Sequence, residues 1–296
     1  MDPPFTATFT DDQLNSLPST EAILSASDDE LYRLYLEGPV LYKCGASKVV
    51  QLSKDLIIKG GRLMTLGEAE AQSLAAKLGF RTPAVHRIFQ RVMMGSFGEE
   101  QDCWFMVMDF IQGQVLDKLW PSLDAEARQD MAKRTIALIE KLQSTSVGAL
   151  PPGPVGGSQG EPWEGPFFTQ YGTGPFASML EMQDWYNHKL DVCIQLTRIS
   201  PDSPRFEFDQ LALTHQDIAP RNIIVEKDTE ELVLIDWAMA GIYPTGLEQA
   251  ALLQQGPGEW DYEFVHTAQA EMPEGYDKLC KQLGSIMYGL TTGAFL

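Results

Sequence analysis

Along the first third of the chain, the apolar positions switch between helical and strand spacing. Ser27-Asp28-Asp29-Glu30 has the form of a capping box. The apolar residues after it, Leu31, Leu34 and Tyr35, predict a helix that stops at Gly38. Three short strand-like runs follow, Val40–Cys44, Lys48–Leu52 and Leu56–Lys59, separated by polar turns as in an antiparallel meander. Thr65-Leu66-Gly67-Glu68 is a second capping box and predicts a helix to about Leu78. Val85–Met93 and Cys103–Met108 read as two further strands joined by the turn-rich GSFGEEQD.

The character changes after Gly113. Met131, Leu138 and Leu142 give Leu123–Ser144 helical spacing. Residues 148–175 are rich in Gly and Pro and predict an irregular loop, of the kind that serves as a lid or a pinned surface structure. Phe176–Ile199 reads as a helix. Leu211–Thr214 reads as a strand, and Ile223–Glu226 with Leu232–Ile235 as a hairpin. The last 50 or so residues are again helix-like. The expected organisation is α+β: a small sheet-rich lobe at 1–111, carrying a helical N-terminal extension, and a larger, mainly helical lobe at 112–296.

Composition narrows the classes. With 296 residues, 44% of them hydrophobic, the chain can bury a sizeable core. No run approaches the length of a membrane-spanning helix, and the start does not read as a signal peptide. Cys44, Cys103, Cys193 and Cys280 are scattered without CxxC spacing, which fits a reduced, cytoplasmic protein. A formal net charge of −19 repels phosphate backbones, so nucleic acid is not an expected partner, and without a long apolar run neither is a membrane. The same charge either serves solubility alone or attracts cationic small molecules.

The chemistry concentrates in LTHQDIAPRNIIV and LVLIDWAMAG. His215, Asp217 and Asn222 fall in a loop between two apolar runs, and Asp236 ends a third. Two carboxylates and an amide are hard oxygen donors that suit Mg²⁺. Phosphoryl transfer asks for this set: one carboxylate for the hydroxyl proton, with an Asn and an Asp to hold the metal on the phosphates.

HxDxxxxN, followed nineteen positions after Asp217 (236 minus 217) by the Asp of IDW, resembles the aminoglycoside phosphotransferase and choline kinase group. That group has a two-lobed protein-kinase-like fold, in which a small antiparallel sheet with one key helix precedes a larger helical lobe. KDLIIKGG, GEAEAQSLA and MDFIQG stand in the expected order, and the likeness looks closest to fungal members of the family. The resemblance implies ATP and Mg as cofactors. Asp217 would orient and deprotonate the acceptor hydroxyl, and Asn222 and Asp236 would bind the metal. Lys59 would contact the nucleotide phosphates, fixed by Glu68 or Glu70. Leu66, Glu70, Leu74 and Leu78 recur at steps of four, which favours Glu70, because Glu68 already has a capping position. Met108, Asp109 and Ile111 would form the adenine hinge, with the Asp109 C=O and the Ile111 N–H as its polar groups. Cys44-Gly45-Ala46-Ser47 would cover the phosphates with backbone N–H groups. His215 packs and hydrogen-bonds to hold the loop, and Arg221 is either a structural partner or a phosphate contact.

Only 60 residues follow Asp236 (296 minus 236), and there is no DFG or APE, so the implied acceptor is a small hydroxylated molecule, with cationic amines as one class. Trp237, Tyr243 and Trp260 are candidates for its pocket or for the core. Glu259, Asp261 and Glu263 are candidates for amine attraction or for a solvated face. Ala238 stands where relatives frequently carry Glu. Two other classes compete with this reading: a nucleotide-binding pseudokinase acting as a regulatory module, and a metal-dependent hydrolase using His215, Asp217 and Asp236.

Overall fold

The structure is a computed structural model that describes residues 16–95, 98–156, 163, 165–169, 173–255 and 261–295. It divides into two compact units. The first runs to Val115 and takes in Ile224–Ala238; the second comprises Leu116–Ile223 and Met239–Leu296.

The first unit opens with helices α1 (Thr20–Ser25) and α2 (Asp28–Glu37). Ser27 caps α2 as its sequence predicts, its Oγ accepting from the Glu30 N–H at 3.2 Å. Strands β1 (Val40–Cys44), β2 (Ser47–Gln51), β3 (Leu56–Gly61), β4 (Val85–Met94) and β5 (Glu100–Asp109) form one sheet in the order β1-β2-β3-β5-β4. All its pairings are antiparallel. The β4–β5 pairing continues through Glu100–Asp102, beyond the apolar run that predicted the strand. There β4 is an edge strand and the side chains meet water, so no apolar residue is needed.

Both faces of the sheet are covered, and the strands alternate between them. Val50, Ile58, Phe89 and Phe105 pack with Leu31 and Tyr35 of the N-terminal helices. The Tyr35 hydroxyl donates to the Gly60 carbonyl at 2.9 Å. Val49, Ile57, Met106 and Met108 pack on the other face with Met64 and Ala69. Ala69 lies on α3 (Leu66–Lys77), whose N-cap is Thr65. A smaller antiparallel pairing joins β6 (Gly113–Val115) to the strand Ile223–Glu226, which in turn neighbours Leu232–Leu234. Trp237 is fully buried, and its indole N–H donates to Thr82 Oγ1 at 3.0 Å and to the Leu234 carbonyl at 3.2 Å. Trp237 is therefore core.

The second unit is built on the helices Ala125–Ser144 and Met179–Gln195 and on shorter helices after residue 246. Asp124 caps the first of these, accepting from the Ala127 N–H at 2.9 Å. Leu211–Thr214 pairs antiparallel with Gly241–Pro244, a strand its Gly and Pro content hid, and Gly241–Ile242 also pairs with Gly153–Pro154.

The described part of the 148–175 loop is pinned by its rings. Trp163, Phe167 and Phe168 are buried in a cluster with Met182, Tyr186, Tyr243 and Leu247. The Trp163 ring covers Gly153 and Gly174, where an added Cβ would stand 2.6 and 2.5 Å from it. The Tyr186 hydroxyl donates to the Phe167 carbonyl at 3.2 Å. These contacts match a packed surface loop. Tyr243, fully buried in the same cluster, is core. Glu161, Glu164 and Tyr171 lie outside the described residues, as do Glu259 and Trp260. Glu263 pairs with Arg128 and so has a structural partner already.

Candidate active site

Lys59 lies on β3 between two carboxylates. Its Nζ is 2.5 Å from Glu68 Oε1 and 2.9 Å from Asp236 Oδ1. The partner is therefore Glu68, whereas the spacing argument favoured Glu70, which is exposed. Glu68 does occupy its capping position, for its N–H donates to Thr65 Oγ1 at 3.1 Å. That bond uses only the backbone and leaves the carboxylate to turn inward. The buried face of α3 consists of Glu68, Ala69, Ala71, Gln72 and Ala75. Small residues let the helix lie close to the sheet, so the leucines at steps of four mark its flank.

Burial alone would lower the Lys59 pKa, but Asp236 and Glu68 outweigh it and hold the ammonium charged. Burial pushes Glu68 up to about 7 against the pull of Lys59. Asp236 is more open, with 44% of its side chain exposed. It adopts φ +65°, a left-handed conformation that costs a non-glycine residue about 1 kcal/mol or more. The strand Leu232–Leu234 ends just before it, so the carboxylate leaves the strand at a sharp turn.

Met108 and Ile111 are buried, Met108 against α3 through a 3.4 Å contact from Gln72 Nε2. The Asp109 side chain is engaged by His86 Nε2 at 2.7 Å and by the Ala84 N–H at 3.0 Å. The Asp109 N–H donates to the Ala84 carbonyl at 3.1 Å. These bonds fix the strand end at the expected hinge.

In the second unit Asp217 is held on both carboxylate oxygens. Arg221 Nη2 lies 2.5 Å from Oδ1, and Asn222 Nδ2 donates to Oδ2 at 2.7 Å and to the Asp217 carbonyl at 2.9 Å. Pro220–Asn222 form a single 3-10 turn, which brings two consecutive side chains back onto Asp217. The Asn222 amide nitrogen faces Asp217, so its Oδ1 is turned away from that carboxylate and has the polarity a cation requires. Arg221 is thus a partner of Asp217, and its Nη2 also reaches Gln255 Oε1 at 3.0 Å. His215 is fully buried, and its Nδ1 accepts from the Asp217 N–H at 3.3 Å. This is the packing role expected of it.

Glu248 is a site residue that sequence reasoning missed. It is fully buried, and its carboxylate accepts the N–H groups of His215 and Gln216, the latter at 3.1 Å. Gln216 has φ +66°, so the strained turn before Asp217 is held by a buried carboxyl group. The only sequence signal is one Glu within the apolar helix Leu247–Leu252.

The comparisons agree with this architecture. The model of the family described as "Phosphotransferase enzyme family" (APH) matches residues 64–280, more than half of the chain. The chain belongs to that family. Among solved structures, the streptomycin–ATP–APH(2")-IIa ternary complex is 13% identical over 87% of this chain and 86% of that one, with a TM-score of 0.51. Spectinomycin phosphotransferase APH(9)-Ia in complex with ADP and spectinomycin is 12% identical over 90% and 87%, with a TM-score of 0.46. At such identities the first likeness shows the fold, a protein-kinase-like one. No curated protein matches the chain.

Burial first of all raises Glu248 to about 7, and Asp217 adds to this, against the lowering effect of the two backbone N–H groups. An unfolded Glu titrates near about 4.3. Its contribution to stability is therefore fully present below that pH and is lost as pH rises through about 7. Glu248→Gln removes this titration. Urea unfolding should show wild type losing stability relative to the variant between about pH 4.5 and 7.5. A pH-independent difference would mean that Glu248 is not buried as a titrating carboxyl.

Proposed function

We propose that the protein is an ATP- and Mg-dependent phosphotransferase that moves the γ-phosphoryl group to a hydroxyl of a small molecule. The observation that carries this reading is Lys59 Nζ held between the buried Glu68 and the more open Asp236. A lysine fixed in this way is a preorganised positive charge for phosphate oxygens. Its Glu68 contact keeps it in place when Asp236 engages a metal. The hinge would use the Asp109 C=O and the Ile111 N–H for the adenine, with Met108 beside it.

The donor chemistry fits Mg. Asp236 supplies an anionic oxygen, and Asn222 an amide oxygen turned away from Asp217. When bound, the metal would neutralise charge on the phosphates. Asp217 accepts the proton of the acceptor hydroxyl, and Arg221 and Asn222 fix the direction in which its carboxylate presents a lone pair. Glu248 holds the backbone on which Asp217 is mounted. The acceptor is a small hydroxylated molecule. Amines and amino-alcohols are the first class to test, because a formal charge of −19 draws cations.

An ADP-release screen over aminoglycosides, choline-like amines, sugars and amino-alcohols tests the reading, with Mg²⁺ and Zn²⁺ compared. With the acceptor found, Asp217→Asn should lower turnover by a factor of about 10² or more while Mg-ATP affinity stays near wild type. Near-normal turnover would remove Asp217 from the base role.

The lysine contact has its own test. Glu68→Gln should weaken Mg-ATP binding by about tenfold in calorimetry, the scale of one charge-assisted hydrogen bond. Glu70→Gln should change it little. Equal effects would contradict the assignment of Glu68.

A further inference from the structure

The turn between β1 and β2 is short. Cys44 pairs with Ser47, so only Gly45 and Ala46 lie between the strands. Gly45 takes φ +55°, as such a tight turn demands. Ser47 is buried, and its Oγ accepts from the Leu63 N–H at 2.8 Å, so its side chain is engaged within the unit. A two-residue turn has few N–H groups with which to wrap a chain of phosphates. The expected cover from Cys44–Ser47 is therefore small.

β1 offers a side chain in its place. Its register to β2 shifts between Val40↔Val50 and Tyr42↔Val49, which places a bulge at Leu41. A regular strand would send Leu41 and Tyr42 to opposite faces, whereas a bulge re-aims one of them. Both pack on the cluster of Val49, Ile57, Met106 and Met108, the face of the sheet to which Lys59 belongs. Tyr42 pairs with Val49, and Val49 pairs with Lys59. Tyr42 thus stands two strands from Lys59 in the same cross-strand row, about 10 Å away between backbones. The Tyr42 phenol lies near enough to Lys59 and Asp236 to feel the charge of both. The row of Ile57 and Met108, toward the hinge, is the next one along the same face. Position along the strands therefore puts Tyr42 at the phosphate end.

The phenol is kept as a neutral O–H. Burial raises its pKa first, Cys44 adds to this both electrostatically and through a hydrogen bond with the phenol, and Asp236 adds further against the opposing pull of Lys59. A phosphate oxygen would take the place of Cys44 as the partner of the hydroxyl. A neutral hydroxyl is a donor, which is what a phosphate oxygen needs.

We propose that the Tyr42 hydroxyl donates a hydrogen bond to the phosphate chain of the nucleotide held at Lys59, as a side-chain substitute for part of a glycine-rich phosphate loop. This rests on the nucleotide reading of Lys59. Calorimetry of the full chain and of Tyr42→Phe with Mg-ATP, Mg-ADP and adenosine tests it. The variant keeps the packed ring, and its thermal midpoint should match wild type. Its affinity for ATP and ADP should fall about tenfold while that for adenosine is unchanged. Affinity for both nucleotides within about twofold of wild type overturns the proposal, as does an equal loss for adenosine. If the wild-type chain itself bound no Mg-ATP, the nucleotide reading would fall with it, and that result is distinct from a wild type that binds and a variant that is unaffected.

Discussion

A partly buried lysine held between two carboxylates is the constraint around which the first unit is arranged. Lys59 comes from β3, Glu68 from the first turn of α3, and Asp236 from a strand end 177 residues further along the chain. Placing a charge such as that of Glu68 out of water is costly, and the cost is recovered only when geometry and hydrogen bonds are good. Two contacts at 2.5 and 2.9 Å meet that condition. The group carries a formal surplus of one negative charge if all three ionise. Burial of Glu68, raised to about 7, is the corresponding strain. Removing the lysine would leave two like charges facing each other. On the proposed reading, the metal ion relieves this imbalance.

The second unit solves a similar problem by other means. Its strained residue is Gln216, and the buried carboxyl that holds it is Glu248, which accepts backbone N–H groups where Glu68 accepts from an ammonium. Asp217, two residues after His215, then receives Arg221 and Asn222 from one short turn. On the proposed reading of Asp217 as base, a carboxylate fixed on both oxygens loses little freedom when a hydroxyl arrives. Each unit thus carries one restrained carboxylate, Asp236 in the first and Asp217 in the second.

What the sequence showed follows from the range of the forces involved. HxDxxxxN was readable because its contacts span five residues. The meander β1–β3 and the capped helices were readable because turn and cap residues act locally. The loop at 148–175 was readable as irregular from its Gly and Pro, but the choice between a lid and a pinned surface structure stayed open, since its rings pack on residues such as Tyr243 and Leu247 far along the chain. The choice between Glu68 and Glu70 went the wrong way because periodicity counted large apolar residues, whereas α3 faces the sheet with alanines. Glu248 left no legible pattern, since it acts on backbone groups more than thirty residues upstream. The strand at Gly241–Pro244 owes its pairing to Leu211–Thr214 and not to its own propensity.

The central claim is that Asp236 serves the metal and Lys59 serves the phosphates. Titrating ATP into wild type and into Asp236→Ala, each with and without Mg²⁺, separates the two tasks. The account predicts that Mg²⁺ strengthens ATP binding to wild type and that the variant loses most of that gain, while retaining a metal-independent affinity supplied by Lys59 and Glu68. A variant in which Mg²⁺ still strengthens ATP binding as much as in wild type would contradict it.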